Sequence, residues 1–179
     1  MTTHRLLKSQ AKKLARLLAD RDQKVVFAES CTAGLCSAVM AEIPGISEYL
    51  CGSAVVYRIE TKARWLGVSR SALKKPGPVS RQVAAAMAEN VLEKTPEADI
   101  AAAITGHLGP NAPKNLDGVV YVSVASRLGK KSGKKNIVVK RHRLDVSDVD
   151  GALQQSRVQR QRSAACAVLE LVCSFLETR

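Results

Sequence analysis

Aromatic side chains are nearly missing from this chain: one Trp, three Tyr and two Phe in 179 residues. A core built without them is aliphatic and alanine-rich, and a broad base-stacking surface of the kind single-stranded nucleic acids use is excluded. Apolar runs are short as well. None reaches the roughly 18 residues that a membrane span requires, and the amino terminus carries an amphipathic, lysine-bearing segment where a secretory signal would have an unbroken apolar stretch. Paired cysteines are also lacking. The five present, Cys31, Cys36, Cys51, Cys166 and Cys173, form no C-x-x-C motif and no Cys/His ligand spacing, and their number is odd. This argues against a disulfide framework and against a zinc site, and for reduced thiols in a cytoplasm. Acidic residues are scarce beside basic ones, 16 against 28, which leaves a net charge of +12.

That charge is uneven. Lys130, Lys131, Lys134, Lys135, Lys140, Arg141 and Arg143 crowd one segment, and Arg157, Arg160 and Arg162 another. Such faces can meet phosphates, including those of a nucleic acid. The alternative is a solvated hairpin tip and a charged helix face that keep the protein soluble, and the want of interleaved aromatics favours it.

The most informative stretch runs from Val25 to Gly34, Val-Val-Phe-Ala-Glu-Ser-Cys-Thr-Ala-Gly. Four apolar residues enter a polar corner, and apolar side chains then recur at helical spacing from Gly34 to Ile43. The pattern predicts a buried strand, a tight turn and a helix start. Ser30 then stands at the carboxyl end of a strand beside the unpaired N–H groups of a helix amino terminus, which favour an oxyanion. A serine there is either a nucleophile or a helix cap.

Elsewhere, residues 3 to 22 read as an amphipathic helix with Leu6, Leu7, Ala11, Leu14, Leu17 and Leu18 on its apolar stripe. Ser53 to Tyr57 reads as a short strand delivering Tyr57, and Glu60 to Leu66, which contains Lys62, as a helical turn or two. Residues 74 to 79 form a Pro/Gly loop, and Ser80 caps an alanine-rich helix running to about Lys94. Asp99 to Thr105 is a second buried strand ending in the turn Gly106-His107-Leu108-Gly109-Pro110. Two strands with polar ends bring two corners to one sheet edge, where open α/β sheets hold ligands. Gly118 to Ala125 and Ile137 to Leu144 predict an antiparallel hairpin across a lysine-rich turn. A long helix closes the chain from about Ser147 or Gly151 to Glu177, with Ser147 and Asp150 at capping-box spacing. The expected architecture is a single three-layer α/β/α domain with a mixed sheet over residues 1–179.

Ala28-Glu29-Ser30-Cys31-Thr32-Ala33-Gly34, Tyr57 with Lys62, Gly77-Pro78-Val79-Ser80 and Thr105-Gly106-x-x-Gly109-Pro110, in this order and at these separations, resemble the CinA carboxy-terminal domain family. The resemblance covers about Val25 to Ser126. Some members carry a further amino-terminal domain, for which the single-domain expectation leaves no room. The family's best-known activity is nicotinamide-nucleotide amidase, so the resemblance implies hydrolysis of the carboxamide of nicotinamide mononucleotide to nicotinate mononucleotide and ammonia. That reaction belongs to pyridine-nucleotide salvage and calls for no cofactor and no metal. It implies Ser30 as nucleophile, Lys62 as the group that takes its proton and Tyr57 as a phenol assisting proton transfer. The amides around Thr32, Ala33 and Gly34 would hold the oxyanion, with Thr105, Gly106 and Gly109 lining the opposite wall toward a phosphorylated nucleotide.

Read singly, these residues have plainer roles. Tyr57 is a half-buried packing residue, Lys62 a surface lysine, Cys31 a small core hydrophobe turned away from Ser30, and His107 a loop histidine. Three departures from the family pattern stand out. Arg58-Ile59 replaces Ser-Asn after the tyrosine, the segment 111–118 replaces an acidic and glycine-paired run, and Arg157 is the nearest counterpart of an arginine after the last strand. The reading from another class is a phosphorylated-nucleotide-binding domain without catalysis, or a basic accessory protein for nucleic acid. A homo-oligomer through the amphipathic end helices is a further expectation.

Overall fold

The computed structural model describes residues 3–113, 115–127, 136–144 and 153–178. Its elements in chain order are α1 (Thr3–Asp20), β1 (Val25–Glu29), α2 (Leu35–Ala41), a 3-10 turn (Ile46–Glu48), β2 (Leu50–Val55), α3 (Ile59–Leu66), α4 (Arg70–Lys74), α5 (Arg81–Lys94), β3 (Ile100–Gly106), β4 (Val119–Ser126), β5 (Asn136–Arg143) and α6 (Leu153–Glu177). The five strands form one mixed sheet in the order β2-β1-β3-β4-β5. β1 runs parallel to both β2 and β3, and β4 and β5 return antiparallel.

The two-residue period of the strands sorts the core into two layers. Val25, Phe27, Ile100, Ala102 and Ile104 pack on one face against Leu7, Leu14 and Leu18 of α1 and Leu169, Val172 and Leu176 of α6. Val26, Ala28, Ala101 and Ala103 pack on the other against Val83, Met87, Val91 and Leu92 of α5. Small alanines on β1 and β3 suit that second face. They let the α5 side chains approach the sheet closely, which an aromatic-poor chain exploits in place of bulk.

Several boundaries differ from the sequence reading, each for a local reason. α1 stops at Asp20, not 22, because Asp22 turns into the left-handed region (φ 48°) and the Gln23 N–H closes back on the Leu18 carbonyl at 3.0 Å. α2 begins at Leu35 and ends at Ala41. Gly34 cannot belong to the helix, since its φ of 96° is a conformation glycine alone adopts without strain. β2 begins at Leu50 and ends at Val55, so Tyr57 stands two residues beyond the strand and not at its end. The short α4 lies between two stretches read from sequence, capped by the Ser69 hydroxyl, which accepts from the Ala72 N–H. The hairpin pairing of β4 with β5 is as expected, while its lysine-rich turn and the Ser147–Asp150 cap lie outside the described residues.

Ser80 caps α5 as expected. Its hydroxyl accepts from the Val83 N–H at 3.3 Å and donates to the Gly77 carbonyl at 2.8 Å. Ser80→Ala removes both bonds and is expected to cost about 1 kcal/mol, read as a lowered urea midpoint with an unchanged slope.

Candidate active site

β1 and β3 lie side by side and parallel, with Glu29 level with Ile104. Their carboxyl ends therefore open on the same edge, and the Ser30 N–H extends the ladder by donating to the Ile104 carbonyl at 3.1 Å. Val26 and Ala28 face the α5 layer, so Ser30, two residues on, turns its side chain to that side.

The chain reaches the same edge a second time from β2. The Val56 N–H donates to the Glu29 carbonyl at 2.8 Å, which carries the pairing with β1 one residue past the strand. α3 then starts, its first turn held by Thr61, whose hydroxyl accepts from the Arg58 N–H at 3.2 Å. This launch drives Lys62 inward, and only 2% of its surface stays exposed. Its Nζ lies 2.8 Å from Ser30 Oγ, 2.9 Å from the Val56 carbonyl oxygen and 3.3 Å from that of Tyr57. Burial lowers its pKa to about 8, the thiol of Cys31 opposing the shift. A neutral amine has two N–H bonds and one lone pair. The two carbonyls take the N–H bonds, and the lone pair is left facing the serine hydroxyl.

Ser30 and Lys62 open onto a cavity of about 230 Å³. Thr105, Gly106, His107 and Gly109 form one wall, and Ile59, Pro78 and Val79 are among the apolar residues around it. Thr105 is fixed by its hydroxyl, which donates to the Pro78 carbonyl at 2.8 Å. Gly106 has no room for a side chain, because a Cβ would lie 2.9 Å from the Val119 carbonyl oxygen and closer still to the Val120 side chain. Tyr57 stands at the mouth with 53% of its surface exposed, and its hydroxyl accepts from Arg157 Nη2 at 2.9 Å. Arg157 also donates to the Gly109 carbonyl, so α6 spans the mouth from Tyr57 to the wall opposite. The arginine that the sequence matched least securely thus lines the cavity.

Two expectations need correction. Thr32, Ala33 and Gly34 do not line the cavity. The helix amino terminus that was to receive an oxyanion already holds the carboxylate of Glu29, which accepts from the amides of Gly34, Cys36 and Ser37 and from the hydroxyls of Thr32 and Ser53 at 2.7 to 3.1 Å. The Ala33 N–H is spent on the Ser30 carbonyl, at 3.0 Å, and the Thr32 carbonyl accepts from Gln161 of α6. Cys31, expected to turn away, reaches the same cavity as Ser30. Burial pushes its thiol up to about 12, so it stays protonated and is not a competing nucleophile.

Glu29 is the residue the sequence reading missed. A carboxylate between a strand and a helix start, with small polar residues after it, was the available signal. Among the described residues no cluster of three His, Cys, Asp or Glu side chains is placed to hold a metal ion, and no helix is long and apolar enough to cross a membrane.

A family model described as the CinA C-terminal domain matches residues 7–159. The chain belongs to that family. A CinA-like protein of Prochlorococcus marinus (strain MIT 9312) is 45% identical over 114 residues, 63% of this chain and 27% of the relative. A CinA-like protein of Endomicrobium trichonymphae is 38% identical over 144 residues, 79% of this chain and 33% of the relative. The chain thus spans a third or less of these two relatives. The fold is that of solved CinA-superfamily structures: the competence/damage inducible protein CihA from Agrobacterium tumefaciens superposes with a TM-score of 0.82 at 27% identity, covering 96% of each chain.

Proposed function

We propose that this CinA-family domain is a serine-lysine amidohydrolase acting on the carboxamide of nicotinamide mononucleotide. The observation that carries the reading is the 2.8 Å approach of a buried lysine of lowered pKa to a serine at a strand end. A serine hydroxyl is a weak nucleophile at neutral pH and needs a base within hydrogen-bond reach, which Lys62 supplies. Ser30 Oγ attacks the carboxamide carbon as its proton passes to Lys62 Nζ. Collapse of the tetrahedral adduct breaks the C–N bond, and Lys62 returns the proton to departing ammonia. A water then attacks the acyl-serine, giving its proton to Lys62, and Ser30 recovers that proton as the ester bond breaks.

With Glu29 filling the helix terminus, the negative charge of the adduct is met by the cavity's own cations, Lys62 once protonated and Arg157 at the mouth. Tyr57, held by Arg157, would orient the nucleotide where it leaves the cavity. The wall of Thr105, Gly106 and Gly109 would lie along the ribose and phosphate. The test is release of ammonia and nicotinate mononucleotide by purified protein. Release by wild type and none by Ser30→Ala supports the reading; none by wild type, or equal release by both, rejects it.

The lysine also sets the pH response. As a base it must be neutral, and with a pKa of about 8 only about a tenth of it is neutral at pH 7. Activity is therefore expected to rise through pH 7 to 8 and level off above. A kcat/KM profile flat across this range would contradict the assignment.

A further inference from the structure

The proposal above leaves His107 without a task. β3 places it with care. Ala101, Ala103 and Thr105 alternate onto the α5 face, the same face to which Ser30 turns. The His107 N–H continues the ladder by donating to the Val119 carbonyl at 2.9 Å, so the two-residue period carries the histidine to that face as well. Thr105 stands one step beyond the pairing of Glu29 with Ile104, level with Ser30. His107 is two residues further, about 7 Å along the strand direction, where the part of a substrate remote from its reacting carbon must lie. Among the described residues the imidazole has no hydrogen-bond partner, and it lines the cavity.

The charges around this space are of one sign. Titratable or charged groups lining it are Lys62 from α3, Arg157 from α6, Tyr57 from the link after β2 and Cys31 from the end of β1, and no carboxylate lines the cavity among the described residues. Two of Arg157's donors are already committed, to Tyr57 and to Gly109. A mononucleotide brings a phosphate carrying about 1.5 to 2 negative charges near neutrality, which an imidazole N–H meets with a charge-assisted hydrogen bond.

We propose that His107 is the specificity-determining contact for the anionic end of the substrate, its imidazole donating a hydrogen bond to the phosphate monoester. This rests on the amidase reading of the same cavity. A phosphate-bearing amide is thereby preferred over the corresponding nucleoside.

The test is isothermal titration of nicotinamide mononucleotide into Ser30→Ala protein, which cannot turn it over. In Ser30→Ala/His107→Ala affinity is expected to fall about tenfold, a loss typical of one charge-assisted hydrogen bond. Affinity for nicotinamide riboside, which has no phosphate, stays the same. His107→Lys, which again offers a donor to the phosphate, restores tight binding. Equal affinity of both proteins for the mononucleotide, or an equal loss of affinity for the riboside, overturns the role of His107 while the amidase reading stands. Failure of Ser30→Ala to bind the mononucleotide also overturns it, and ammonia release by wild type then decides whether the amidase reading falls too.

Discussion

Lys62→Met is expected to lower kcat for amide hydrolysis by a factor of about 1,000 or more and to remove the rise of activity through pH 8. A positioned general base contributes about 100- to 10,000-fold, and in the proposed reaction the same amine also returns a proton to the leaving group, so both halves of the reaction would suffer. Ser30→Ala is expected to cost as much, and the double variant little more than either alone, because two groups that act as one unit are lost only once. Additive losses would mean that the two side chains act separately. Lys62→Met also has a signature that does not depend on turnover. The folded-state pKa of about 8 lies below the unfolded value of about 10.4, so between them the unfolded chain binds more protons. The cation's penalty is complete below pH 8, and stability rises with pH from about 8 to about 10.4. Urea titrations across that window should show the rise in wild type and its loss in Lys62→Met.

Glu29→Ala is expected to destabilise the fold by about 3 to 5 kcal/mol, a fall in Tm of roughly 10 °C for a chain of this size. The carboxylate is 1% exposed and collects five donors, three of them amides at the start of α2. Without it those amides and the hydroxyls of Thr32 and Ser53 lose the acceptor they share. Glu29→Gln fills the space but keeps one acceptor oxygen and turns an NH2 group toward donors, so it should lose more than half as much. The loss matters to the site because β1, β2 and α2 meet on this one side chain, immediately before Ser30. Thermal and urea melts of both variants measure it; a change below about 1 kcal/mol for Glu29→Ala would contradict this account of the turn.

The strand-turn-helix around Ser30 was legible because the chain changes there from four consecutive apolar residues to apolar spacing of three and four. The two core faces were expected only as layers of an α/β/α domain, and four apolar residues in a row do not show which of them faces which layer. The partnership of Ser30 with Lys62 had no such signal. Thirty-two residues separate them, and a lysine on a short helix reads as a surface cation until β2 is known to pair with β1 and to direct α3 inward. Only likeness to a family joined the two. The oxyanion donors were misplaced for a physical reason: a helix amino terminus does attract an anion, but here the anion is a side chain one residue before the serine. α4 was invisible because five residues between Gly67 and Pro76 are too few to show a period. Arg157 was an uncertain match because extra residues around 145–155 separate it from the last strand, and only the packing of α6 on the sheet decides which arginine reaches Tyr57.

The account stands on a covalent bond to Ser30 during turnover. Wild-type protein mixed with nicotinamide mononucleotide, quenched in acid within the first turnovers and digested, should yield a peptide in which Ser30 carries the nicotinate mononucleotide acyl group, absent from Ser30→Ala. Conversion of the amide with Ser30 unmodified at every time, and with Ser30→Ala still active, would contradict it.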